Sequence, residues 1–145
     1  MLWIKGGPVY FRDIRTMDTS PVTYGAAATR PRIVVIEDDA ALLDALSFAL
    51  DTEGYETRGF LGEADVLEAG GLADADCFVI DYLLSPMDGL EVLAELRRLG
   101  ATAPAILITT KPDHHCRRRA RLMGAAIVEK PLMTDALSRK IRSLL

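Results

Sequence analysis

Two hydrophobic periods take turns along this chain. From residue 32 onward, short apolar runs alternate with stretches in which apolar residues recur every three or four positions. "RIVVI" (32–36) reads as a strand covered on both faces and "CFVI" (77–80) as a buried strand, with "AILIT" (105–109) and "AAIVE" (125–129) as two more strands. "YETRGF" (55–60) alternates weakly and reads as a further strand. The intervening stretches read as amphipathic helices. "DAALLDALSFAL" predicts a helix with Leu42, Leu46 and Ala49 on its inner face and Gly54 as stop. "EADVLEA" predicts a short helix. "DGLEVLAELRRLG" places Val92, Leu96 and Leu99 inward, and "DHHCRRRARLMG" places Cys116, Ala120 and Met123 inward. "TDALSRKIRSLL" closes the chain with Leu137, Ile141 and Leu144 on one face.

Strand and helix thus alternate five times. That order predicts an α/β fold, a doubly wound five-stranded parallel sheet with helices on both faces and right-handed crossovers. Residues 1–30 carry Gly6, Gly7, Pro8, Pro21 and Gly25 without sustained periodicity, and read as a flexible extension ahead of a domain at 31–145. Met17 lies within that extension and is an alternative start of translation, testable by sequencing the native N-terminus.

Charge adds a second layer. Residues 31–96 hold 16 acidic and 2 basic residues, a net of −14, whereas residues 97–145 hold 3 acidic and 11 basic, a net of +8. A fold built from both halves has two differently charged surfaces. The overall charge of −4 argues against a general nucleic-acid binder. Two cysteines, Cys77 and Cys116, offer no disulfide framework or zinc spacing, which suits a reducing cytoplasm. No apolar stretch has membrane-spanning length, and the N-terminus lacks a signal-peptide core.

In open parallel sheets, sites form outside the carboxyl ends of the strands. Strand one ends in Glu37, Asp38 and Asp39, strand three in Asp81, strand four in Thr109, and strand five in Glu129, Lys130 and Pro131. Converging carboxylates resist joint ionisation unless a cation relieves them. Oxygen-only ligands suit Mg2+. Beside Mg2+, an aspartate can act as a nucleophile toward a phosphoryl group, while a lysine and a hydroxyl contact its oxygens.

The motifs "VVIEDD", "VIDYLLSPMDGLEVL", "PAILITT" and "VEKP" stand in this order, with 43 residues from Asp38 to Asp81, 28 from Asp81 to Thr109 and 21 from Thr109 to Lys130. Over residues 32–145 the sequence resembles the receiver domain of bacterial two-component response regulators. That resemblance implies sheet order 2-1-3-4-5 and Asp81 as phosphoacceptor. It implies Mg2+ held by Asp38, Asp81 and the Leu83 backbone carbonyl, with Glu37 acting through water. It further implies Thr109 as switch hydroxyl, Lys130 as phosphoryl contact and a cis bond before Pro131. The phosphodonor is expected to be a histidine kinase or a histidine phosphotransfer protein. With no sequence left after the fifth helix for an output domain, a single-domain regulator is expected, signalling by protein contact or phosphorelay. The resemblance implies a phosphoacceptor rather than a turnover enzyme. A phosphorylation-independent interaction module is the alternative. A phosphatase would want an acid where Leu83 stands, and a nucleotide binder would want a glycine-rich loop after strand one.

Several positions have simpler readings. Asp39 and Asp88 read as helix caps. His114 and His115 read as solvated, since neighbours on a helix point apart. Arg117, Arg118 and Arg121 lie in a basic run on the fourth helix, the element that forms part of the output surface in the family, and predict an acidic protein partner there. The chain also departs from the family's pattern. Ser85 stands where relatives often carry proline and Pro86 is displaced by one, so the loop should keep its length and change its shape. Ile127 cannot make the aromatic rotamer change common in relatives, and Thr110 narrows access to the site. Leu83 cannot orient an attacking water, which predicts slow self-dephosphorylation.

Overall fold

A computed structural model of the protein describes residues 29–70, 72–132 and 135–145. Of the expected extension at residues 1–30, all but Thr29 and Arg30 lie outside the described residues. The strands are β1 (Arg32–Ile36), β2 (Glu56–Phe60), β3 (Cys77–Asp81), β4 (Ala105–Thr109) and β5 (Ala126–Glu129). The helices are α1 (Ala40–Thr52), α2 (Glu63–Glu68), α3 (Gly89–Arg98), α4 (His114–Leu122) and α5 (Ala136–Leu144). A 3-10 turn at Leu72–Asp74, not foreseen from the sequence, precedes β3. All strand pairs are parallel and the sheet order is β2-β1-β3-β4-β5, as expected.

The strand pleat sorts the core into layers. Ile33 and Val35 of β1 point to one face with Leu43, Leu46 and Leu50 of α1 and Leu137 and Ile141 of α5. Val34 and Ile36 point to the other, with Val66 of α2 and Val92, Leu93 and Leu96 of α3. Leu107 joins Leu90, Cys116 and Ala120 in a smaller cluster under α4. β3 is buried along its whole length, so Asp81 is the last residue of a core strand.

Two helix faces differ from the sequence reading. α1 buries Leu43, Leu46 and Leu50, while Leu42 is half-buried and Ala49 exposed. This helix is apolar nearly all round, so its pattern fits more than one inner face and contact with β2 selects one. Leu99 is 55 % exposed, because it is the C-cap of α3 and the chain turns away at Gly100 (φ +96°). Leu90 and Leu93 take the inner positions instead.

Side-chain caps begin the helices next to the site. Asp39 accepts from the N–H groups of Ala41 and Leu42, and Asp113 from that of Cys116. Asp88 accepts from Glu91 N–H while the Glu91 carboxylate accepts from Asp88 N–H, a reciprocal capping box. Arg30 donates to the carbonyls of Asp51, Gly54 and Tyr55, placing a cation at the carbonyl end of α1, whose last turn has none of its own.

Candidate functional site

The carboxyl ends of β1 and β3 are central in the sheet, so their terminal acids converge. Carboxylate oxygens of Glu37, Asp38 and Asp81 lie within 4.8 Å of one another. Glu37 and Asp81 are buried, at 2 % and 4 % exposure, and Asp38 is exposed. The cluster therefore has two acids in its floor and one at the solvent side. The Lys130 ammonium reaches in from the end of β5, 3.3 Å from Asp81 Oδ1 and 3.6 Å from Glu37 Oε2. The Lys130 N–H donates to the Thr109 carbonyl at 2.8 Å, which ties the lysine's backbone to the end of β4. The Lys130–Pro131 and Ser85–Pro86 peptides are both cis.

One ammonium does not satisfy this many carboxylate oxygens. Glu37 Oε1 accepts from Asp39 N–H at 3.1 Å, and Asp81 Oδ1 from Leu83 N–H at 3.3 Å. Among the described residues, Glu37 Oε2 is buried without a hydrogen-bond partner. Burial is the main cause that lifts the Glu37 carboxyl from 4.5 to about 7. The nearby Asp81 pushes it the same way, against the Asp39 N–H and Lys130. An unpartnered buried carboxylate oxygen beside two further carboxylates fits a hard divalent cation with oxygen ligands. Glu37, Asp38 and Asp81 are the residues whose side chains would hold it.

The other expected residues distribute as follows. Thr109 is buried at the end of β4, with Ile108 paired to Asp81 across the ladder. Thr110 is exposed, and Lys111 after it has a positive φ of 46°. Leu83 is 66 % exposed, while its neighbour Leu84 is buried. Pro131 is exposed, and Ile127 packs against the cluster of Leu90, Leu107, Cys116 and Ala120. Arg118 and Arg121 are exposed on α4, whereas Arg117 pairs with Glu129 at 2.6 Å. His114 and His115 are exposed and Cys116 is buried. The buried thiol of Cys77 is pushed up to about 12 by burial and by Asp76.

A second set of contacts has no counterpart in the sequence reading. Arg119 makes a two-pronged pair with Asp88, at 2.8 Å and 3.2 Å, and donates to the Tyr82 hydroxyl at 3.4 Å. The signal was present in helical periodicity. Arg119 is two residues from Arg117 and from Arg121, so it points away from their face. What it would meet there, 31 residues back along the chain, is not a matter of periodicity.

The family model described as the response regulator receiver domain matches residues 33–142. The chain belongs to that family. It is 32 % identical over 116 residues to the transcriptional regulatory protein FixJ of Bradyrhizobium diazoefficiens, a match covering 79 % of this chain and 57 % of that protein. The chain spans about half the length of the curated relatives it matches. Among solved structures it is similar to a response regulator receiver domain protein from Methanospirillum hungatei JF-1 (TM-score 0.69, 25 % identity). That match covers 79 % of this chain and 93 % of the other. Its fold is also that of chemotaxis protein CheY4 of Vibrio cholerae (TM-score 0.73, 19 % identity, 81 % and 100 % covered). It is thus a receiver domain of two-component signalling, a class whose chemistry is phosphorylation with Mg2+.

Proposed function

We propose that Asp81 accepts a phosphoryl group from a phosphohistidine of a histidine kinase or histidine phosphotransfer protein. The observation that carries this reading is the buried Asp81 carboxylate at a strand end, 3.3 Å from Lys130 and within 4.8 Å of oxygens of Glu37 and Asp38. An Asp81 oxygen attacks phosphorus as the P–N bond breaks. The electron pair returns to the imidazole nitrogen, which takes up a proton, and an aspartyl phosphate remains. When bound, Mg2+ supplies Lewis-acid neutralisation of the phosphoryl charge. Lys130 holds a fixed positive charge where further anionic oxygens would arrive. Thr109, buried beside this position, is the hydroxyl assigned to sense the new group. The chain acts as a phosphoacceptor, not a turnover enzyme.

Output is proposed to pass by protein contact or by relay of the phosphoryl group. The exposed arginines Arg118 and Arg121 support an acidic protein partner on α4, and Arg117 would join them once released from Glu129. The proposed compartment is the cytoplasm, in keeping with the unpaired thiols of Cys77 and Cys116. A second reading, an interaction module indifferent to phosphorylation, draws on Ile127, which offers no aromatic ring to change rotamer.

The test is incubation with acetyl phosphate and Mg2+ followed by intact-mass measurement. Wild type should gain one phosphoryl group and Asp81→Asn none. A gain that persists in Asp81→Asn sinks the assignment. Partner binding that is identical with and without the modification favours the second reading.

A further inference from the structure

Arg119 sits on the flank of α4 away from Arg117 and reaches across to the start of α3. Its guanidinium engages both oxygens of Asp88, with the arginine side chain 27 % and the aspartate 25 % exposed. Two-pronged pairing makes this, among the described residues outside the acidic site, the least exposed ion pair and the one that engages both oxygens of its carboxylate. Asp88 is the N-cap of α3, and Gly89 follows it directly. Gly89 in turn lies against the phosphoacceptor's backbone. A Cβ added there would stand 2.3 Å from the Asp81 carbonyl oxygen, and Gly89 N–H donates to the Tyr82 carbonyl at 2.9 Å. The Tyr82 hydroxyl meets Arg119 again at 3.4 Å. A closed circuit therefore runs from Arg119 through Asp88 and Gly89 to the Asp81–Tyr82 peptide, and back through the Tyr82 ring.

We propose that Arg119 is a positioning residue for the phosphoacceptor: its pair with Asp88 seats the start of α3 against the Asp81 backbone and joins the site to α4. This rests on the reading of Asp81 as phosphoacceptor. The link bypasses both Thr109 and Ile127, so it provides a connection from site to α4 that needs no aromatic rotamer change. By reciprocity, whatever loosens the pair weakens occupancy of the site, and occupancy alters the mobility of α4.

The probe is beryllofluoride with Mg2+, a stable mimic of the phosphoryl group, titrated into the full chain. Asp88→Asn keeps a capping side chain but removes the charge, and Arg119→Gln removes the other partner. Each should raise the half-saturating beryllofluoride concentration by roughly two- to thirtyfold. The double variant should match the single ones, because both remove one interaction. Arg119→Lys, which keeps the charge, should recover part of the loss, and Arg98→Gln, on a remote ion pair of α3, should leave it unchanged. Amide hydrogen exchange in α4 should respond to beryllofluoride in wild type and lose that response in Arg119→Gln. A purely structural pair would shift the urea midpoint and leave titration midpoint and exchange response alone. That result, or additive effects in the double variant, overturns the proposal while leaving Asp81 as acceptor. Absence of beryllofluoride uptake by wild type sinks both.

Discussion

Residues 31–96 and residues 97–145 carry opposite charge and use it differently. The first brings acids to the ends of β1 and β3, where they crowd: two buried carboxylates and an exposed third within 4.8 Å. The second spreads its arginines over α4 and α5, where most stay solvated, and sends single cations across to the first. Lys130 reaches Asp81 and Glu37, and Arg119 reaches Asp88. Surface charges such as Arg118 and Arg121 contribute little to folding and much to which partner arrives. The crossing cations face buried or half-buried partners, where a missing charge is costly. Charge asymmetry along the sequence thus separates into two jobs, and burial decides which residue has which.

The largest test of the comparison leaves charge untouched. Gly89→Ala should destabilise the fold by about 3 kcal/mol, because the added carbon meets the Asp81 carbonyl backbone, which cannot move aside alone. A urea midpoint equal to wild type would mean that α3 is not seated as described. Next in size is Lys130→Met. In the absence of divalent cation it leaves Glu37 and Asp81 facing each other, at a cost of about 1–3 kcal/mol. Mg2+ should shrink that loss, and an equal loss with and without Mg2+ in thermal melts would argue against a cation among these acids.

A smaller effect separates Glu37 from its neighbours. Its carboxyl is raised in the folded protein from 4.5 to about 7, chiefly by burial. The folded state then holds more protons than the unfolded one between those values. Metal-free stability should fall as pH rises from 4.5 to about 7, and Glu37→Gln should flatten that slope in urea titrations. Mg2+ must displace the same proton, so its affinity should rise over the same window. The smallest effect on stability belongs to the solvated arginines. Arg118→Glu with Arg121→Glu should change unfolding free energy by about 0.5 kcal/mol or less. The same pair should weaken capture by an acidic partner and its salt dependence. Unchanged binding after reversal would remove the partner assignment from α4.

Much of this was legible before any coordinates. Three buried strands, the half-buried edge strand β5, and the acids and lysine at their ends follow from period and punctuation, since the carboxyl ends of parallel strands share one edge. Caps were legible for the same local reason: Asp39 and Asp88 each bond a backbone group two or three residues on. Local readings went astray where the pattern was degenerate. α1 is apolar nearly all round, so Leu42 and Ala49 looked as good as Leu43 and Leu50. Leu99 keeps the helical period of α3 but falls on its cap.

The sequence alone therefore determined the α/β alternation, the residues at each strand end and the family, because these depend on neighbours a few positions apart. Tertiary structure decided which acid lost its water, which left Glu37 Oε2 buried without a hydrogen-bond partner among the described residues while adjacent Asp38 stayed exposed. It also decided that Arg119, alone among four α4 arginines close in sequence, faces Asp88. Rotation and packing of one element on another set both outcomes, and neither is encoded in the spacing within either element.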